Sequence, residues 1–241
     1  DVAAVPVQGA AASRHVRIEH GCDIGAGDSE QFDHDAARED GGVLDCHLLA
    51  AGRIERQVAF MNAHAEIGVC GAWVMVRPPA APAYVWRTPA GHEAIRSRLL
   101  FESAIAHPSV MLRRAIVERV PLRYDPAFSH AEDYELWTRA AGHGVRLANV
   151  PEVLLDLRVH PAQVSHRFHD ALQESARRIR RRALAGLGLQ PTPADLETHE
   201  AVSTSGVPPT AASLDAADRW LRRLRAANRQ TSADGEPAIT D

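Results

Sequence analysis

The sequence contains no lysine: every one of its 27 basic residues is arginine, set against 31 Asp and Glu. That one-sidedness, with the abundance of alanine, fits a coding bias better than a chemical need. A net charge of −4 and a pI near 6.4 give no global reason to expect nucleic-acid binding. Cysteine is scarce as well. Cys22, Cys46 and Cys70 fall 24 residues apart, far from any close-paired zinc spacing. An odd count argues against a disulfide scaffold, so a reducing compartment is expected. No apolar run approaches the roughly 18–20 residues of a spanning helix, and the amino terminus has no basic-then-apolar signal pattern. The expectation is a soluble cytoplasmic protein, with peripheral membrane contact left open.

What is present suffices for one sizeable core, or one domain with appendages, in 241 residues at 45% hydrophobic content. Residues 1–52 hold no sustained period and read as irregular or poorly ordered chain. Asp33-His34-Asp35 has the letters of a metal site but reads as a solvated acidic loop. Order begins at Arg53. Ile54, Val58 and Met61 recur at helical spacing, with Arg53, Glu55 and Arg56 outside. Ile67–Val76 reads as a strand stopped by Pro78 and Pro79, and Glu93–Leu100 as a helix. Ser109–Leu112 is a short buried strand or helix entry. Ser129 and Glu132 suggest a capping box for a helix ending near Gly142. Val145–Val150 and Val153–Val159 predict two strands separated by Pro151.

The tail is predicted helical. Asp170–Leu184 sets Leu172, Ile179 and Ala183 opposite an arginine face that includes Arg177, Arg178, Arg180, Arg181 and Arg182. That face reads as solvated rather than as a nucleic-acid or lipid patch. Thr192-Pro193-Ala194-Asp195 is a second helix start. Leu214, Ala217, Leu221 and Leu224 mark a last amphipathic helix, and residues 229–241 a frayed end.

Three segments could carry chemistry: Ala106-His107-Pro108-Ser109-Val110-Met111, Ser129-His130-Ala131-Glu132-Asp133-Tyr134-Glu135-Leu136-Trp137, and Arg158-Val159-His160-Pro161-Ala162-Gln163-Val164-Ser165. Glu132 and Asp133, in the first turn of a helix, meet the positive end of its dipole. Acids belong there on structural grounds alone. A functional role requires a carboxylate in a cleft that accepts a proton from a substrate hydroxyl. His160 has the plain alternative of a strand-end histidine bonded to backbone. Trp137 and Tyr134 could stack on a sugar, though helix-face packing is the simpler fate of Trp137.

In this order and spacing, the three segments resemble the second half of family 2 glycosyltransferases. The resemblance begins at Gly52-Arg53-Ile54-Glu55-Arg56-Gln57-Val58 and reaches Leu187-Gly188-Leu189, His199, Trp220-Leu221 and Ala227-Asn228, about three quarters of the chain. It implies an α/β fold: a partial GT-A-like (nucleotide-diphospho-sugar transferase) sheet with flanking helices over residues 53–165. A helical extension over 166–228 follows. The implied activity is inverting transfer of a sugar from a nucleotide-sugar donor to a carbohydrate or lipid-linked acceptor, as in cell-surface polysaccharide biosynthesis. Asp133 would be the general base and Glu132 would shape its site. His107, Ser109, Tyr134 and Arg158 would lie on the substrate side. His160 would approach a divalent manganese or magnesium ion that offsets charge on the leaving diphosphate.

The resemblance also implies an Asp-x-Asp metal site just before Arg53. The chain instead reads Gly41-Gly42-Val43-Leu44-Asp45-Cys46-His47, with no second aspartate two residues after Asp45. The expectation is therefore a missing or altered amino-terminal half, leaving a sheet with an exposed edge and a bare apolar face. A rival of another class is a non-catalytic remnant that binds a glycan or a protein. Metal-assisted hydrolysis, which lacks a compact ligand motif, ranks last.

Overall fold

Ile67–Arg77 is apolar along nearly its whole length, and both of its faces are covered, the pattern of a strand inside a layered α/β sheet. A computed structural model describes residues 16–18, 47–159 and 168–231. We label the strands in chain order β1 (Val16–Ile18), β2 (His47–Leu49), β3 (Ile67–Arg77), β4 (Tyr84–Trp86), β5 (Met111–Arg113) and β6 (Arg146–Arg158). They form a six-stranded sheet in the order β1-β5-β3-β6-β2, with β4 also paired to β3. Only β3 and β6 run parallel; the other pairs are antiparallel. The sheet edges expected to be bare are paired: β1 covers β5 and β2 covers β6. Both strands come from residues 1–52, expected to be irregular throughout.

Helix α1 (Arg53–Ala63) packs on one face over Met61, Cys70, Ala72, Met111, Val150 and Leu154. The opposite face carries α2 (His92–Leu99), the short α3 (Arg114–Arg119), α4 (Glu132–Gly142) and α5 (His169–Gly186). Their shared core includes Val69, Ile95, Leu112, Trp137, Leu147 and Ile179. Burying the isobutyl-sized side chains of this core contributes roughly 1.5–3 kcal/mol each. The face expected to be bare is thus covered, and α5 joins the main core through Ala176 and Ile179.

The two strands expected either side of Pro151 are one. Residue pairing advances from Ala72↔Val150 to Trp73↔Val153, so Pro151 and Glu152 bulge out of the ladder. Proline has no N–H to donate, and a bulge is where a strand tolerates it. Strand β6 lies close against β3. A Cβ on Gly71 would stand 2.2 Å from Asn149 Oδ1 and 2.7 Å from Ile105. The Asn149 amide donates to Pro89 O and Ala104 O, fastening two loops to the sheet.

On α1 the buried face differs from the apolar stripe. Arg53, Gln57 and Met61 are buried, whereas Ile54 is 40% exposed. Polar bonds rotate the helix. Gln57 Nε2 donates to Ser109 O at 2.8 Å and to Cys70 O at 3.4 Å, while Arg53 Nε donates to Gln57 Oε1 at 2.9 Å. The Cys70 thiol, buried beneath this network, is pushed up to about 12 by desolvation and is inert at neutral pH.

Helices α6 (Pro193–Ser203) and α7 (Ala211–Thr231) pair beside the end of α5. The predicted start of α6 is a capping box between Thr192 and Asp195. In the tail, half of the expected α7 stripe is buried: Ala217 and Leu224 are, together with Trp220 and Ala227, whereas Leu214 and Leu221 are exposed. Arg180 is buried rather than solvated, with its guanidinium on Glu200 and on Phe101 O. His199 lies at the centre of this region. Trp220 Nε1 donates to its Nδ1 at 3.0 Å, so its Nε2–H donates to Leu100 O at 2.9 Å. The bond accepted at Nδ1 requires the neutral ring. Residues 232–241, most of the expected frayed end, lie outside the described residues.

Two predictions follow from these fastenings. Gln57→Leu keeps the volume but removes the donor to Ser109 O and the acceptor of buried Arg53 Nε, so the urea midpoint should fall by the equivalent of roughly 2–4 kcal/mol at unchanged slope. Burial holds the His199 pKa below the ordinary histidine value, so the unfolded chain takes up this proton first as pH falls. Stability contributed by neutral His199 is therefore full above about pH 6.5 and lost on acidification below it. Denaturation at a series of pH values should show that loss in the wild type, and a shallower one in His199→Gln.

Candidate active site

Helix α4 runs antiparallel to the strand that follows it. Gly144, with φ 74°, makes the reversal, and Gly144 N and Val145 N donate to Ala141 O and Ala140 O. The left-handed stop is thus two residues beyond the expected Gly142. This geometry carries the amino terminus of α4 toward the carboxyl end of β6, the side where open α/β sheets bind ligands. The expected capping box is absent. Ala131 is the N-cap, and Ser129 Oγ donates weakly to Pro126 O at 3.4 Å instead.

Asp133 is half-buried in the first turn of α4. Its Oδ1 accepts from Tyr134 N at 2.7 Å, and it makes no ion pair among the described residues. Burial raises its pKa above the usual carboxylate value and the neighbouring Glu132 charge adds to that rise; His107 and the backbone N–H of Tyr134 oppose it. The result is a carboxyl group suited to exchanging protons closer to neutrality than a solvated aspartate. Glu132, also half-buried, stands beside it.

His107 opens the short 3-10 turn His107–Ser109. Its Nε2 lies 2.8 Å from Tyr124 Oη, and its ring meets Tyr124 and Trp137 edge-on. Tyr124 has no motif around it and was missed in the sequence. His130 was missed as a functional candidate too. It adopts φ 63° just before α4, and its ring stacks on Phe168 at 4.2 Å.

Other candidate residues have different surroundings. Ser109 is fully buried; its hydroxyl donates to Ala106 O and accepts from Ala72 N. Tyr134 is 4% exposed and its hydroxyl donates to Leu99 O. Burial and these bonds leave neither hydroxyl open to a substrate, so both hold the fold instead. Trp137 is fully buried, which removes sugar stacking there. Arg158 is exposed at the carboxyl end of β6, beside Arg77 of β3. His160, Cys22, Cys46 and Asp33-His34-Asp35 lie outside the described residues. Among the described residues no group of three or more His, Cys, Asp or Glu side chains comes together to hold a metal ion. No described helix is long and apolar enough to cross a membrane.

Glu135, two residues from Asp133, has the opposite fate. Buried at 2% exposure, it takes a bidentate pair from Arg139 and a further bond at 3.0 Å from Arg182 of α5. A groove of about 430 Å³ opens near this clamp, lined by Leu99, Thr138, Ala141, Ile179 and Ala183. It follows the carboxyl-terminal half of α4, away from Asp133, and its titratable lining is His143, Arg96 and the clamp itself, Glu135 with Arg139 and Arg182.

No protein-family model matches the chain. In sequence it is similar to glycosyltransferases. It is 30% identical over 97 residues to an uncharacterized glycosyltransferase of Haemophilus influenzae, covering 40% of this chain and 30% of that protein. It is 27% identical over 115 residues to the amylovoran biosynthesis glycosyltransferase AmsE of Erwinia amylovora, covering 48% of this chain and 42% of that one. The chain thus spans less than half the length of these curated relatives. Among solved structures, S. aureus TarS aligns with 81% of this chain and 33% of its own, at TM-score 0.38 and 11% identity.

One prediction comes from the contrast between the acids of α4. Glu135→Gln removes the charge of a nearly inaccessible carboxylate and leaves Arg139 and Arg182, both partly exposed, facing a neutral amide. It should destabilise the chain by roughly 1.5–3 kcal/mol, measured by denaturant unfolding, without changing the pH at which Asp133 titrates.

Proposed function

We propose that this chain is the acceptor-side part of a family 2, GT-A type glycosyltransferase, with Asp133 as its general base. The observation that carries the reading is the state of Asp133. It is a partly buried carboxylate on the opening turn of α4, toward the strand ends, with its pKa raised and, among the described residues, no arginine neutralising it. The similarity to two glycosyltransferases supports the reaction class. AmsE is named for amylovoran biosynthesis, and a growing glycan or a lipid-linked sugar is the acceptor class in this proposal.

In the proposed step the Asp133 carboxylate takes the proton of an acceptor hydroxyl. The freed oxygen pair forms a bond to the anomeric carbon, and the bond from that carbon to the nucleoside diphosphate breaks on the opposite face. The diphosphate leaves with the bonding electrons, Asp133 is left protonated, and the configuration inverts. Glu132 disfavours a second negative charge beside it, which helps Asp133 keep the proton it has taken. Manganese or magnesium belongs to this reading only through the family resemblance, and a cytoplasmic setting is likewise part of the proposal.

The test is transfer from a panel of nucleotide sugars to glycan acceptors by the full chain, with and without manganese. Asp133→Asn should lower kcat by about 10²–10⁴-fold while donor KM changes little. Wild-type turnover in that variant would remove Asp133 as the base.

A further inference from the structure

Asp133 and Trp137 are four residues apart on α4, and side chains at that spacing lie on one face of a helix. The imidazole of His107 packs edge-on against Trp137, with centroids 6.3 Å apart. It therefore sits beside the stretch of helix that carries Asp133. Tyr124 holds the same ring: Oη is 2.8 Å from Nε2, and the ring centroids are 5.7 Å apart at 60°. The backbone beneath is fixed as well. Val110 N donates to His107 O, and the Ser109 hydroxyl bonds to Ala106 O and Ala72 N on either side of the turn. Few ways remain for the imidazole to leave.

We propose that Tyr124 and His107 are positioning residues for Asp133, Tyr124 pinning the imidazole against Trp137 on the helix face that carries the carboxylate, so that the ring stands ready to steady the Asp133 anion until an acceptor hydroxyl arrives. With Nε2 held by Tyr124, Nδ1 is the ring nitrogen left to respond to the carboxylate. The groups acting on Asp133 are His107 and the Tyr134 N–H on one side of the balance and Glu132 on the other. Those facing His107 among the described residues are Tyr124, Trp137 and Asp133 itself. Burial, with Glu132 adding to it, makes Asp133 a reluctant anion; the imidazole opposes that. This inference rests on Asp133 as base for its purpose, but not for its measurement.

The experiment follows the side-chain carboxyl of Asp133 by carbon-13 NMR across a pH series in the full chain. His107→Gln should move the Asp133 midpoint upward by about one pH unit, the effect of removing a close opposite charge. Tyr124→Phe should move it the same way by less. An unchanged midpoint in His107→Gln overturns the proposal. The Nε2 resonance of wild-type His107 should also carry a hydrogen-bond signature, so the Tyr124 contact is tested even where Tyr124→Phe does not fold. Absence of that signature overturns the role of Tyr124. Transfer activity is assayed separately: a shifted midpoint in a chain that moves no sugar supports the pairing while removing the base assignment.

Discussion

The parallel pairing of β3 with β6 is the constraint from which the rest of the arrangement follows. It is the one parallel contact in the sheet, and β3 and β6 are also its longest strands. Gly71 lets Asn149 come close enough for its amide to tie down the loops at Pro89 and Ala104. Because β6 is fixed in this register, the reversal at Gly144 fixes the direction of α4, and with it the end of the sheet at which Asp133 stands. A side chain there cannot be moved without moving a strand that is buried on both faces.

The helices are attached largely by apolar contact and oriented by polar fasteners. Gln57 joins α1 to β3 and to the turn after Ala106. Glu135 joins α4 to α5 through Arg182, and Arg180 joins α5 to α6 through Glu200. Trp220 joins α7 to α6 through His199. Hydrophobic burial supplies most of the stabilisation but is weakly directional. A buried hydrogen bond that would otherwise go unmade sets which face of a helix points inward. This explains why Ile54, Leu214 and Leu221 lie outward although each continues an apolar stripe.

Arginine supplies every cation in these fasteners, and its planar fork favours paired contacts with carboxylates. Glu135, Glu200, Asp156 and Asp195 are each held by at least one arginine. Asp133 is held by none among the described residues and is left to a histidine, a group that changes charge near neutrality. An arginine in the place of His107 would pin the carboxylate as a permanent anion with a low proton affinity. The difference between Glu135 and Asp133, two residues apart on one helix, is thus the difference between a carboxylate clamped by arginines and one that is not.

The sequence by itself determined the elements with strong local causes. Continuous apolar residues made β3, Thr192 and Asp195 made the start of α6, and the acids of Glu132-Asp133 marked the first turn of α4. It also showed the motif order that resembles a glycosyltransferase. Tertiary structure alone decided which helix face is buried, because the bonds of Gln57, Arg180 and His199 reach 13 to 99 residues along the chain. It alone merged two predicted strands around the Pro151 bulge, since a parallel partner held both in one ladder. It alone separated His107 from Ser109 and Asp133 from Tyr134 and Glu135. Neighbours in sequence point to different sides of a turn or helix, and whether a polar side chain finds a partner or a cleft depends on what the fold brings to that side.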